Sequence, residues 1–378
     1  MPDQVRVCGD EMMNYIALKD VCTINMGQSP ESSSYNEIGD GIPFFQGNAD
    51  FGERYPITRV WCNKPTKVAK AEDILISVRA PIGAMNYAKE KCCIGRGVAA
   101  LTPNEEKVSS EFIFWLLKGK NNELNQKGTG STFKAIGRKV LEEVQVPEIN
   151  LELQRKYASN LERIYSIIQD RQRQLEQLDK LVRARFVEMF GSIHKSTEYP
   201  YFAVRELTDV ISGGTPSREK NEYWDKGTIP WIKTTELQNN VITVADEYIT
   251  KEGLANSSAK LVPPGTVLVA MYGQGKTRGM TAYLDIEACT NQACACILPS
   301  DRIDSMFMWK YFELSYDKLR NLAQGAGQPN LNGNMIKNFQ VLVPPEMMQK
   351  EYVDFVRQVD KSKLQYHPHT HTCQPNTS

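Results

Sequence analysis

Histidine is scarce in these 378 residues: there are four, none of them lies between Leu18 and Phe190, and three fall in the last twelve positions. Histidine-based acid-base or metal chemistry is thereby close to excluded. Uninterrupted apolar runs are short, and none reaches the roughly 18 residues needed to cross a bilayer. The segment from Met1 to Tyr15 lacks the basic-then-apolar order of a signal peptide, so a cytoplasmic protein without a membrane role is expected. Cysteine is present but badly arranged for chemistry. The nine residues are odd in number, Cys92 and Cys93 adjoin, and Cys289, Cys294 and Cys296 cluster without CxxC spacing. Neither a disulfide framework nor a zinc site fits, and reduced, mostly buried thiols are expected. Neither sign of charge dominates, with 45 basic against 45 acidic side chains. Nucleic-acid binding would then rest on a local basic surface, since the average supplies none.

The chain does have an internal repeat. Tyr15-Ile-Ala-Leu-Lys-Asp-Val, leading to Gly27-Gln-Ser-Pro30, returns as Tyr201-Phe-Ala-Val-Arg-Glu-Leu, leading to Gly213-Gly-Thr-Pro216; both ends are 186 residues apart. Ile42-Pro43-Phe44 answers Ile229-Pro230-Trp231, and Asp73-Ile-Leu-Ile-Ser77 answers Thr266-Val-Leu-Val-Ala270. Gly128-Thr-Gly130 and Val144-Gln-Val-Pro147 match Gly325-Ala-Gly327 and Val341-Leu-Val-Pro344, all 197 apart. A unit of about 190 residues is far above solenoid periods, so the pattern is a duplicated domain. Each copy mixes β-branched runs, turn signals and helical stretches such as 110 to 118 and 306 to 322, which reads as α+β.

After Pro147 the period changes. Positions 154, 157, 161, 164, 168, 171, 175, 178, 182, 185 and 189 keep unbroken three-four spacing, a heptad seam over about five heptads. A helix of that span is about 54 Å long, and Gly191, Ser192 and Pro200 end it. Gln349-Lys-Glu-Tyr352 repeats Gln154-Arg-Lys-Tyr157, so a second helix is expected after Pro344. The expected organisation is a first domain over 1–150, a heptad helix over 151–192, a second domain over 193–344, a shortened helix over 345–366 and a disordered tail over 367–378.

This order of domain, Val-x-Val-Pro, long helix, domain, Val-x-Val-Pro and helix resembles the specificity subunit of type I restriction-modification enzymes over roughly 14 to 365. The stretches that carry the likeness best are Ile211-Ser-Gly-Gly-Thr-Pro216, Ile229-Pro-Trp-Ile232, the loop ending Thr277-Arg-Gly279, and Asn291-Gln-Ala293. The resemblance implies two target recognition domains in tandem, each reading half of a split site in double-stranded DNA. It also implies coiled-coil helices that hold the domains apart and bind two methyltransferase subunits, with nuclease-translocase subunits joining them. Asn-Pro-Pro-Phe, Asp-Pro-Pro-Tyr and glycine-rich nucleotide signatures are missing. A non-catalytic chain is therefore expected, with S-adenosylmethionine, ATP and magnesium carried by partner subunits.

Candidate DNA contacts follow from side-chain chemistry in the loops, because arginine reads guanine bidentately and amides read adenine. They are Arg79, Lys134, Arg138 and Lys139 in the first copy, and Lys276, Arg278, Gln328, Asn330 and Asn332 in the second. Helix-helix or partner contacts are expected at Tyr157, Leu161, Ile164, Ile168, Leu175, Leu178, Val182 and Met189, and at Tyr352, Val356 and Val359. Arg171 and Arg185 on the seam read as charged groups reaching past a helix pair to solvent. Only 26 residues follow Tyr352, and His367-Pro368 stops the helix. That leaves Tyr157, Leu161, Ile164 and Ile168 short of a partner, and it points to a truncated or frame-altered end and to self-association. Two rival readings are a nucleotide-binding enzyme using the relaxed P-loop at 270–277 and a purely structural adaptor. The first needs a helix beginning at Lys276-Thr277, whereas the sequence there reads as a turn back into a strand.

Overall fold

A computed structural model describes residues 14–130, 134–273, 275–323 and 330–364. The expected tail, the Gly325-Ala-Gly327 landmark and Gln328 lie outside the described residues. The chain divides into two compact units, Met1–Asp170 and Arg171–Ser378. Both are α+β, and no helix among the described residues is long and apolar enough to cross a membrane.

In the first unit a four-stranded antiparallel sheet runs in the order Cys22–Met26, Val98–Pro103, Ile74–Ser77, Met85–Tyr87. Its central strands are buried on both faces, which is why they read as unbroken apolar runs and not as alternation. The second unit answers with Val210–Ser212, Cys294–Ile297, Val267–Ala270, Thr281–Leu284 and Asn240–Ile242. A smaller layer adds a parallel pair in each unit, Ile42–Phe45 with Cys92–Ile94 and Ile229–Ile232 with Cys289–Thr290. Cys22, Cys62, Cys92, Cys93, Cys289, Cys294 and Cys296 are buried free thiols, and burial pushes Cys92 up to about 12.

The repeat survives in the hydrogen bonds, with one correction. Ile16 pairs with Val146 and Phe202 with Val341, so the strands closing the two units are 195 residues apart and not 197. The Val-x-Val-Pro landmarks are thus out of step by two. Because side chains alternate with period two, a slip of two keeps the same residues facing inward, and the motif looks aligned although the pairing is not.

Helices follow their caps. α1 (Ser110–Gly119) is capped by Ser109, whose Oγ accepts from Phe112 N, and is followed further on by α2 (Arg138–Glu142). α3 (Leu151–Phe190) is one unbroken helix crossing from the first unit into the second. The helix expected over 306–322 is two, α4 (Ser305–Leu314) and α5 (Tyr316–Leu322), broken at Ser315, whose Oγ donates to Tyr311 O. α6 (Gly333–Lys337) and α7 (Glu346–Leu364) complete the set used below.

The seam of α3 behaves differently in its two halves. In the first unit the inward stripe is Gln154, Ala158, Glu162 and Tyr165, with Trp115 set edge-on to Tyr165 at 5.3 Å. Tyr157, Leu161, Ile164 and Ile168 are 43 to 55% exposed. In the second unit Leu175 and Leu178 are half-buried and Val182 is buried, and Tyr352, Val356 and Val359 of α7 are buried as well. From Val182 onward the buried line runs through Phe186 and Phe190 and leaves Arg185 and Met189 to the side. The end of α3 is seated in a globular core at four-residue spacing, so the strict 3.5-residue period does not persist there. Phe186, Phe190, Phe307 and Tyr352 meet there with ring centroids 5.0 to 6.0 Å apart.

Candidate nucleic-acid interface

In the first unit three loops converge beside the Gly27-Gln-Ser motif. Gly27 N donates to Val98 O at 2.9 Å, and a Cβ there would strike the carbonyls of Gly95 and Val98. Glycine is therefore required for the chain to lie this close. The approach sets Ser29 against the Gly95-Arg96-Gly97 turn, where Ser29 Oγ accepts from Arg96 N at 3.4 Å. A Cβ on Gly97 would in turn strike Gln46 O, so the turn bearing Arg96 is pressed onto the loop bearing Gln46 and Asn48. Asp50 fixes that loop, its Oδ2 accepting from Gln46 N at 2.7 Å and Gly47 N at 3.3 Å, while Oδ1 faces Arg59. On the other side Ala80 N donates to Lys134 O at 3.0 Å, bringing Lys134 next to the Arg79 loop.

The result is a cleft of about 140 Å³ lined by Ser29, Gln46, Asn48, Ser77, Arg79 and Arg96. It adjoins a second hollow of about 510 Å³ that shares Gln46 and Asn48. Arg79 and Arg96 are both exposed. Among the described residues neither guanidinium has a hydrogen-bond or ion-pair partner, and the one carboxylate lining the hollow, Asp50, already holds backbone amides. Two open guanidiniums beside two amides can bind phosphate oxygens or base edges.

The second unit rebuilds this frame with other side chains. Gly27 N to Val98 O becomes Gly213 N to Cys294 O; Gly95 N to Phe45 O becomes Asn291 N to Ile232 O; Val78 N to Gly97 O becomes Met271 N to Ala293 O. Arg96 therefore corresponds to Gln292, Arg79 to Tyr272 and Ser29 to Thr215. Thr215 Oγ1 donates to Gln292 Oε1. Trp231 explains its motif by donating from Nε1 to Gly214 O at 2.9 Å. Arg218 lies 3.6 Å over the Trp224 ring and pairs with Glu247 at 2.6 Å. The Lys233 hydrogen bond, joined by that from Arg218, holds the Glu247 carboxyl below its ordinary range.

The sequence candidates divide by surroundings. Lys276 and Arg278 sit on the loop between the antiparallel strands Val267–Ala270 and Thr281–Leu284. α5 holds that loop, since Tyr316 Oη donates to Lys276 O at 2.7 Å and Arg320 to Arg278 O at 3.0 Å. A strand, and no helix, follows Lys276-Thr277, which removes the P-loop reading. Arg138 is committed to Glu142 at 2.9 Å and to Ile24 O at 2.6 Å, and Lys139 faces Glu143 at 3.8 Å. Asn332 caps α6 through Met335 N and lines a 460 Å³ hollow with Lys260, Asn334 and Lys337, while Asn330 is half-buried just ahead of it. Sequence reasoning missed Gln46, Asn48, Arg96, Lys260 and Lys337. The signal for Arg96 was its glycine-flanked turn, which shares no residue with Asn291-Gln-Ala293 and so escaped the repeat search.

The family model described as type I restriction modification DNA specificity domain matches twice, over residues 10–178 and 197–369. A Methanocaldococcus jannaschii protein assigned as the MjaX type I restriction enzyme specificity subunit is 47% identical over 157 residues, covering 42% of this chain and 37% of that protein. The MjaIX specificity subunit of the same organism is 21% identical over 90% of this chain and 85% of its own length. Among solved structures, the type I restriction-modification S subunit from M. genitalium aligns over 97% of this chain and 94% of its own, with TM-score 0.62 and 14% identity.

Proposed function

The chain belongs to the type I restriction-modification DNA specificity family, and on that footing we propose that it reads a bipartite double-stranded DNA target, one half-site per unit. The observation that carries this reading is the duplicated loop frame, which presents Arg79 and Arg96 in one unit and Tyr272 and Gln292 in the other. One frame with two sets of side chains is what two unlike half-sites need. Lys134, Lys276 and Arg278 add phosphate or base contacts beside these frames, and Lys260, Asn330, Asn332 and Lys337 form a further polar edge in the second unit.

In this role the chain performs no chemistry. Two methyltransferase subunits act on the DNA it selects, and nuclease-translocase subunits join them; S-adenosylmethionine, ATP and magnesium belong to those partners in the cytoplasm. The helical stripe at Tyr157, Leu161, Ile164 and Ile168 serves helix or partner contacts.

The test is a graft. Replacing residues 14–147 with those of a relative of different specificity changes the first half-site and leaves the second intact, as read from methylated positions. A change in both halves, or DNA binding indifferent to sequence in the ungrafted protein, overturns the reading and favours a structural adaptor. Binding also weakens with salt, each neutralised phosphate adding about 0.9 to the log-log slope.

A further inference from the structure

We propose that Arg96 and Gln292 are the paired specificity-determining residues of the two units, Arg96 selecting a guanine in the first half-site and Gln292 an adenine in the second. The inference rests on the DNA-reading function above and goes beyond it in naming the residues and the bases.

Equivalence comes first. The backbone bonds on either side of these residues are duplicated: Gly95 N to Phe45 O and Val98 O to Gly27 N flank Arg96, and Asn291 N to Ile232 O and Cys294 O to Gly213 N flank Gln292. Both side chains are exposed, and both backbones are pinned by buried sheet strands. Each also has the hydroxyl of the Gly-x-Ser/Thr-Pro motif beside it. Ser29 Oγ accepts from Arg96 N, and Thr215 Oγ1 donates to Gln292 Oε1. The glycines that open both motifs are there because nothing larger fits against the turn.

Chemistry comes second. A guanidinium offers parallel N–H donors that match guanine O6 and N7, and a carboxamide offers one acceptor and one donor that match adenine N6 and N7. The Thr215 hydroxyl occupies the Gln292 carbonyl from one side and so fixes the rotation of the amide, leaving its N–H free to donate. Arg96 has no hydrogen-bond or ion-pair partner for its guanidinium among the described residues, in contrast to Arg138, paired with Glu142, and Lys139, which faces Glu143 just past the end of α2. A side chain meant only for phosphate needs no such rigid seat, whereas one meant for a base edge does.

The experiment selects DNA from a pool of randomised double-stranded oligonucleotides with the full chain, bearing its methyltransferase partner, as wild type, Arg96→Gln, Arg96→Lys and Gln292→Arg. Arg96→Gln is expected to lose roughly 10- to 100-fold of its discrimination for guanine at one first-half position, the scale of a bidentate base contact. All second-half positions stay unchanged. Gln292→Arg shifts one second-half position from adenine to guanine. Arg96→Lys keeps the charge and the salt slope yet relaxes the same single position, which separates base reading from phosphate binding and from misfolding. Enriched sequences identical to wild type in all three variants overturn the proposal, and so does a uniform loss of affinity with a shallower salt slope. Failure of the wild-type protein to enrich any sequence overturns instead the DNA-reading function on which it rests.

Discussion

Gln154, in the first turn of α3, accepts a hydrogen bond through Oε1 from the backbone N–H of Ser109, the residue that caps α1, at 2.8 Å. Its amide nitrogen donates to Ile149 O and Lys107 O at 2.8 and 3.3 Å. Gln349 repeats the device 195 residues later, accepting from Asp304 N at 2.9 Å and donating to Pro344 O at 2.7 Å, and Asp304 caps α4. Both glutamines are almost completely buried. Each ties the helix leaving a unit to the start of the helix beneath it.

Gln349→Leu should therefore destabilise the second unit. The leucine fills the space but leaves the Asp304 N–H and the Pro344 carbonyl without partners, and each buried orphan costs about 1–3 kcal/mol. Gln154→Leu should do the same in the first unit alone. Hydrogen exchange at the first turns of α1 and α4 checks both, and equal loosening of the two units by one substitution would contradict the duplicated role.

Lys310 is the buried cation of the second unit, its side chain 4% exposed, 2.9 Å from Glu313 and 3.8 Å from Asp360, with Nζ 3.9 Å from the Trp309 ring centroid. Lys310→Met should change stability by no more than about 1 kcal/mol, since the desolvation of the ammonium disappears with it while Glu313 and Asp360, 24% and 36% exposed, stay hydrated. Removing both carboxylates, Glu313→Gln with Asp360→Asn, strands the charge and should cost about 3–5 kcal/mol. Thermal melts of the two variants should differ in that order, and the reverse order would refute it.

His194 sets an acid limit. Burial, with Lys318 and Arg183 nearby, lowers it from the ordinary 6.5 to about 4, and its Nδ1 lies 3.3 Å from Tyr311 Oη, which donates to Ile193 O. The unfolded chain takes up the proton first as pH falls, so the stability this neutral ring contributes is complete above about 6.5 and is lost on the way down to about 4. Because the ring is only half-buried and partly screened by solvent, about 1 kcal/mol should go between pH 7 and pH 5. His194→Gln should melt with a shallower pH dependence across that window, and an unchanged slope would show that other groups carry it.

Much of this fold could be read before any coordinates because the repeat is carried by residues that cannot vary. Gly27 and Gly213 sit where a Cβ collides. The frame was legible for that reason, and the proposed reading residues were not, because the backbone bonds that flank Arg96 and Gln292 are the same in both units and do not select which side chain stands there. The two-residue slip at Val146 and Val341 escaped notice because strand periodicity hides even shifts. Arg138 and Lys139 looked like free cations in sequence, and only their four-residue spacing to Glu142 and Glu143 showed where their charge goes.

The last prediction concerns the apolar stripe of α3. Tyr157 and Tyr352 are equivalent by the 195-residue offset of Gln154 and Gln349, yet Tyr157 is 49% exposed and Tyr352 fully buried. Leu161, Ile164 and Ile168 likewise correspond to Val356, Val359 and Lys363. In the second unit the second half of α3 covers this face through Val182, Phe186 and Phe190. In the first unit nothing described covers it. With each stripe residue about half exposed, covering it gains roughly 1 kcal/mol apiece against the 1.5–3 of full burial. Two copies joined antiparallel, stripe on stripe, bring together eight such side chains, or about 8 kcal/mol before the cost of association is subtracted. At its least, about 4 kcal/mol, that cost leaves about 4 kcal/mol, so the chain without its partner subunits should self-associate reversibly and weakly, with a Kd near millimolar. Leu161→Glu with Ile168→Glu places charges on both sides of the stripe without touching the inward line of Gln154, Ala158 and Tyr165. Light scattering should report a shift to monomer at concentrations where the wild type is associated, with the melting temperature of the first unit unchanged. A wild-type chain that stays monomeric well above about 1 mM, and is unaltered by the two glutamates, would show that this face does not drive association.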